Sequence, residues 1–248
     1  MGIITNITSG ILIGSMLYTS YPQYLLINSE IQSENRIKIG EKLITKNLIY
    51  LKEDIKIPQL KDGNDEKKIN LMNDAINNDI LPKVDEAEKI SKEYFDIPGQ
   101  EKPTFPYEIY SKYIVTNDSK DIISLYNDYY EFLGGAHGIT IRTSYTIDKY
   151  KENFLLLKDL FVSGYDYKDI INKEIKTQIS KESENYFNSG SEFKGINDNQ
   201  GFYIDGNNLV IYYQIYDIAP YVFGIPEFKI PLSLFDANFI YYKGIEKK

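Results

Sequence analysis

The chain has 248 residues, 42% hydrophobic and 26% charged, a balance typical of folded proteins and enough length to bury roughly 70 to 75% of its unfolded surface in one large domain or two smaller ones. With 36 acidic against 28 basic side chains the net charge is −8, which repels phosphate backbones and anionic lipid; this argues against nucleic-acid or polybasic membrane binding and favours a cationic partner. Cysteine is absent, so disulfides and thiolate metal sites are excluded, and 23 tyrosines with no tryptophan lean toward half-buried sheet surfaces.

Residues 1 to 29 carry no charged side chain and include the apolar run Ile11 to Leu17. That run is too short to span a bilayer and lacks the basic start and cleavage site of a signal peptide. It reads either as a loose start before an early strand near Tyr24 to Ile27, or as the trimmed end of an export signal or anchor. From Arg36 to Ile57 short alternating runs predict strands, closed by Pro58. Asn64 or Asp65 then caps a helix whose face is Ile69, Met72, Ile76 and Ile80. Pro82 is expected to end or kink it, with Val84, Ala87 and Ile90 continuing the stripe toward Phe95.

Three prolines and a glycine between Ile97 and Pro106 mark a subdomain boundary. Beyond it the period becomes two, through Tyr107 to Val115, Ile122 to Phe132 and the alternation Ile139, Ile141, Thr143, Tyr145, Ile147. A second helix is predicted from about Tyr167 to Phe187, presenting Ile170, Ile171, Ile175 and Ile179. Phe202 to Asp205, the turn Gly206-Asn207-Asn208 and Leu209 to Tyr213 read as a hairpin, and Glu227 to Leu234 as a last strand. The expectation is an α+β protein, mainly antiparallel sheet with two principal helices, divided into an uncharged segment 1–29, a small α+β subdomain 30–97 and a larger domain 105–240.

The chemistry available is narrow. His137 is the single histidine, so His-rich zinc sites and H-E-x-x-H proteases are impossible, and neither a G-x-S-x-G elbow nor a phosphate-binding glycine loop occurs. Enzymes built on paired carboxylates need no histidine, which leaves an envelope glycan hydrolase as the alternative to a binding protein. Gly134, Gly135, His137 and Gly138 form either a tight connection between antiparallel strands or part of a recognition surface. Tyr216, Asp217, Pro220 and Tyr221 lie in an aromatic loop that covers the sheet end or offers stacking surface to a sugar or protein. No cofactor or metal is expected.

The ordered set from Gly134-Gly135-Ala136-His137-Gly138 through Tyr145 to Asp148, Leu155 to Phe161, Phe202 to Ile204, Leu209 to Tyr213 and Tyr216 to Gly224 resembles the extracytoplasmic domain family of the lysozyme-sensing anti-sigma factor RsiV. The non-catalytic N-terminal region of the peptidoglycan deacetylase PdaC shares that domain. Residues from Ile57 through the first helix look like the smaller domain preceding it there, so the resemblance spans about residues 55 to 235. It implies a non-enzymatic, extracytoplasmic binding or sensing module of Gram-positive bacteria, with lysozyme, another cationic protein or peptidoglycan as partner. The resemblance includes no sigma-binding segment ahead of the domain, no convincing transmembrane helix and no deacetylase domain after residue 240, so this chain is not expected to be a complete member of either type.

Overall fold

The computed structural model describes residues 37–99, 101, 103 and 106–241. The expected early strand and the whole uncharged segment 1–29 lie outside these residues. Six strands, β1 (Lys38–Asn47), β2 (Leu51–Lys61), β3 (Tyr107–Asp118), β4 (Ile122–Phe132), β5 (Ile139–Asp148) and β6 (Asn153–Phe154), form one sheet in sequence order. All neighbours are antiparallel except β2 and β3, which pair in parallel from Leu51 opposite Tyr107 to Ile55 opposite Ser111. A parallel join needs a crossover, and helix α1 (Glu66–Asp96) supplies it. Pro58 does not close β2. It pairs opposite Glu41 inside the strand, whose end comes at Lys61.

Asp65 caps α1, its carboxylate accepting the Lys68 N–H at 3.2 Å, and the carboxylate of Glu152 receives the Asp65 N–H at 2.8 Å. Orphan donors at the helix start are thereby satisfied from a loop 87 residues away. One face of α1, through Ile69, Met72, Ile76, Ile80, Val84, Ala87 and Ser91, is buried on the sheet against Ile55, Ile57, Ile109, Leu125 and Ile147. The helix runs through Pro82 without ending. That residue is on the exposed side, where water can take the carbonyl its ring displaces. Ile90 also departs from expectation, being 40% exposed. Ser91 holds the buried position instead and donates its hydroxyl to the Ala87 carbonyl at 2.6 Å.

The other face of β4 and β5 carries a second layer. A three-stranded antiparallel sheet, β7 (Phe202–Asp205), β8 (Asn208–Tyr212) and β9 (Glu227–Pro231), lies there. Ile122, Ile123, Ser124 and Leu125 are accordingly all buried, with Ile122 in one core and Ile123 in the other. The Ile204 N–H donates to Ser124 Oγ at 2.9 Å, and Ser124 and Thr146 share a hydroxyl pair at 2.8 Å. Helix α2 (Tyr167–Lys181) covers this small sheet with Ile171, Ile175 and Ile179, beside Phe228, Phe235 and Phe239.

Two predicted ends move. Helix α2 stops at Lys181 rather than Phe187, because the positions that would extend its apolar stripe past Ile179 are Glu182 and Ser183. Strand β9 stops at Pro231 rather than Leu234. Leu232 and Phe235, both buried, are three residues apart and sit in a 3-10 turn instead. In the β7–β8 hairpin the turn is Gly206-Asn207, with Gly206 at φ 54°, and Asn208 already pairs with Asp205. The architecture is the expected α+β class: a mainly antiparallel six-stranded sheet, a smaller three-stranded sheet and, among the described residues, two α-helices.

Candidate recognition surface

The connection between β4 and β5 has to turn sharply, and its glycines allow it. Gly134 and Gly135 take φ values of 95° and 90°, a region L side chains rarely adopt. Gly138 is needed for closeness instead, since a Cβ there would lie 2.4 Å from the Tyr130 ring. The Gly138 carbonyl accepts the Tyr221 hydroxyl at 2.9 Å and lies 3.0 Å from His137 Nδ1. A carbonyl only accepts, so the proton of that contact is on Nδ1, and Nε2 is left to accept from the Tyr216 hydroxyl at 3.4 Å. The imidazole stacks on Tyr221 at 3.8 Å between centroids with planes 22° apart, and Tyr216 lies 5.9 Å from Tyr221.

The loop carrying these tyrosines is held from below. Ile218 and Ala219 are buried in the core under the small sheet, with Phe223 packed against it. Asp217 closes the turn by accepting the Gln214 N–H at 2.8 Å, and Pro220 precedes the 3-10 turn Tyr221–Phe223. Tyr216 and Asp217 remain exposed, and Val222 is 91% exposed. All eight residues singled out from the sequence therefore fall in two loops that meet: Gly134, Gly135, His137 and Gly138 on one, Tyr216, Asp217, Pro220 and Tyr221 on the other.

Other contributors were not legible in the sequence. Tyr110 on β3 faces Tyr130 on β4 in register, and their rings stack at 4.6 Å. Burial raises the pKa of both hydroxyls. For Tyr110 the charges of Glu108 and Asp128 add to the effect; for Tyr130 it is Tyr110, Tyr221 and Glu108. Gln214 clasps β5, accepting the Arg142 N–H at 3.0 Å and donating to the Arg142 carbonyl at 2.7 Å. The Arg142 guanidinium grips Asp128 through two bonds of 2.6 and 2.7 Å, also pairs with Glu227, and lies 3.8 Å over the Tyr126 ring. Only strand register could have announced the tyrosine pair, and no local pattern marks Arg142. Among the described residues no group of three or more His, Asp or Glu is placed to hold a metal ion, and no helix is long and apolar enough to cross a membrane.

Comparison with known proteins follows the same two-part division as the loops. Residues 44–140 match the family described as deacetylase PdaC, and residues 158–233 match a family described as a protein of unknown function, DUF3298. His137 comes from the first segment, and Tyr216 and Tyr221 from the second. The anti-sigma-V factor RsiV of Bacillus subtilis is 29% identical over 174 residues, 66% of this chain and 60% of RsiV. The peptidoglycan-N-acetylmuramic acid deacetylase PdaC of the same organism is 30% identical over 82 residues, 33% of this chain and 17% of the deacetylase. The chain thus spans less than two thirds of either relative. Crystal structures of DUF3298-family proteins from Bacteroides fragilis (TM-score 0.66, 20% identity, 87% of this chain and 99% of that one) and Pseudomonas aeruginosa (TM-score 0.53, 18% identity, 82% and 92%) share the fold. With a PdaC-type segment followed by a DUF3298-type segment, the chain resembles the anti-sigma factor RsiV and, over its first segment, the deacetylase PdaC.

Proposed function

We propose that this chain is a non-enzymatic binding or sensing module of the bacterial cell envelope, acting outside the cytoplasm, and that its partner is a cationic protein of the lysozyme kind. The observation that carries this reading is the aromatic ledge formed where the two loops meet. His137, Tyr216 and Tyr221 form one cluster and Tyr110 and Tyr130 another, both built around Gly138, with Val222 standing out beside them. Such rings supply contact area at low entropic cost and accept cations over their faces. Glu108 and Asp217 flank them, and the net charge of −8 steers a basic partner inward. The resemblance to an anti-sigma factor supports sensing, and the resemblance to a peptidoglycan deacetylase supports the envelope as the setting.

Cell-wall glycan is the second ligand this ledge suits, because stacked aromatic faces also fit the apolar faces of sugar rings. A hydrolase is less well supported: Asp128 and Glu227, which face one another across two sheets, are both engaged by Arg142 and so are poorly placed to carry a proton or attack. Calorimetric titration at low salt with lysozyme and with solubilised peptidoglycan fragments tests the reading. Saturable heat with lysozyme that weakens as salt rises is expected, and Tyr221→Ala should cost about tenfold or more in affinity. No heat with either ligand would sink the proposal.

A further inference from the structure

Further along β5 from the ledge there is a cleft of about 380 Å³, bounded by α1, the middle of β5, residues 154–157 and residues 198–202. That volume is at the small end of ligand-binding pockets. Its walls are apolar, from Phe154, Leu155, Leu157 and Phe202, and Leu156, a leucine 50% exposed, also lines it.

The polar groups are unevenly supplied. Tyr145 spends its hydroxyl proton on Asp79 Oδ2 at 2.9 Å, Tyr212 spends its own on Ser144 Oγ at 3.1 Å, and the Gln200 amide donates to the Tyr212 carbonyl at 2.7 Å. The Arg142 guanidinium is committed to Asp128 and Glu227, and Lys168 answers Asp198 at 2.5 Å. Gln200 Oε1 has no hydrogen-bond partner, but it is itself closed off from the cleft, and the polar side chains of Asn199 and Thr143 also line the space. The charged group left to the cleft is Asp79, half-buried, with Oδ2 taken by the Tyr145 hydroxyl and Lys83 held by its backbone carbonyl; its carboxylate has no ion pair among the described residues. An anion would be repelled by Asp79, and a neutral ligand would leave its carboxylate without a counter-charge. A protonated amine on an aliphatic stem brings three donors, a positive charge and methylenes for the apolar walls.

We propose that this cleft binds an alkylammonium group of the kind carried by a lysine side chain, at a site separate from the aromatic ledge. The amine can come from a lysine of a protein partner or from a lysine-bearing cell-wall peptide. The test is a heteronuclear NMR titration of the full chain with Nα-acetyl-lysine methylamide, with its neutral analogue Nα-acetyl-norleucine methylamide, and with N-acetylglucosamine. Saturable shifts at Ser144, Asn199 and the Gln200 side-chain amide are expected with the lysine probe alone. Asp79→Asn should weaken them about tenfold, and Ala75→Leu, an exposed helix position at the cleft where leucine keeps the helix, should abolish them. Tyr221→Ala should leave them unchanged, which keeps failure of this site distinct from failure of the ledge. Lysozyme and a lysine-bearing muropeptide then compete in separate arms, and whichever displaces the probe supplies the amine. Equal binding of norleucine, binding of the sugar alone, no shift at all, wild-type binding by both cleft variants, or a bound probe that neither competitor displaces would each overturn the proposal.

Discussion

Glu53 lies on β2 under α1 with its side chain fully buried, and both carboxylate oxygens lack a hydrogen bond. Lys46 stands 3.5 Å away but is drawn to Glu88 at 2.6 Å. Burial above all pushes the carboxyl pKa up; Lys46 opposes it, and the charges of Glu88 and Asp85 reinforce it. The native state therefore holds this proton to higher pH than the unfolded chain does. The contribution of Glu53 to stability is greatest below the unfolded carboxyl range, falls as pH rises toward the raised native value, and stays lower above it. Glu53→Gln should flatten that slope and raise the melting temperature at neutral pH by about 2–4 °C, the shift ~1 kcal/mol gives a chain of this size; thermal melts from acid to neutral pH measure both. At the ledge, His137→Ala separates the two readings of the glycine turn. A structural turn predicts a lower melting temperature with unchanged affinity for lysozyme, whereas a recognition role predicts affinity lost in a chain that melts normally. The lone histidine and the aromatic loop were both visible in the sequence, but their contact joins residues 79 apart, a distance at which no local pattern speaks.

Among the elements, α1 shows how far periodicity reaches. The three-and-four spacing of Ile69, Met72, Ile76 and Ile80 located the helix and its buried face, because a helix in contact with a sheet must bury one stripe. It did not settle Pro82, whose effect depends on which side of the helix faces water. Since Pro82 is exposed, Pro82→Ala should restore a backbone hydrogen bond without disturbing the core. A gain of about 1 kcal/mol or more in urea denaturation is expected, below the ~3 kcal/mol that proline costs an ideal helix interior. An unchanged midpoint would mean the helix has already absorbed the defect. The shorter α2 and β9 teach the same lesson: alternation or helical spacing can be continued on paper past the point where the next apolar side chain has a core to enter.

At the scale of the whole molecule, β4 is a strand both layers share, and Ser124 is one of the residues that hydrogen-bond them together. Its hydroxyl accepts the Ile204 N–H and pairs with Thr146, so Ser124→Ala leaves a buried N–H without a partner. The expected cost is about 1–3 kcal/mol, with the largest loss of hydrogen-exchange protection in β7 and β8. Uniform loss across α1 as well would mean that the two layers unfold as one. By itself the sequence determined the α+β class, the presence and buried faces of both helices, and most strands with the 202–212 hairpin, though not all of their ends, since each rests on spacing between near neighbours. The proline-rich stretch between Ile97 and Pro106 lies where the chain passes from α1 to β3, which joins the sheet that already holds β2. The tertiary structure alone decided that β2 and β3 pair in parallel, that Tyr110 meets Tyr130, that Arg142 is bound to Asp128 and Glu227, and that the two loops share one aromatic surface. Each of these depends on strand register and layer packing, which join residues far apart in the chain, whereas the periodicity of a sequence records only which side of its own element a residue must face.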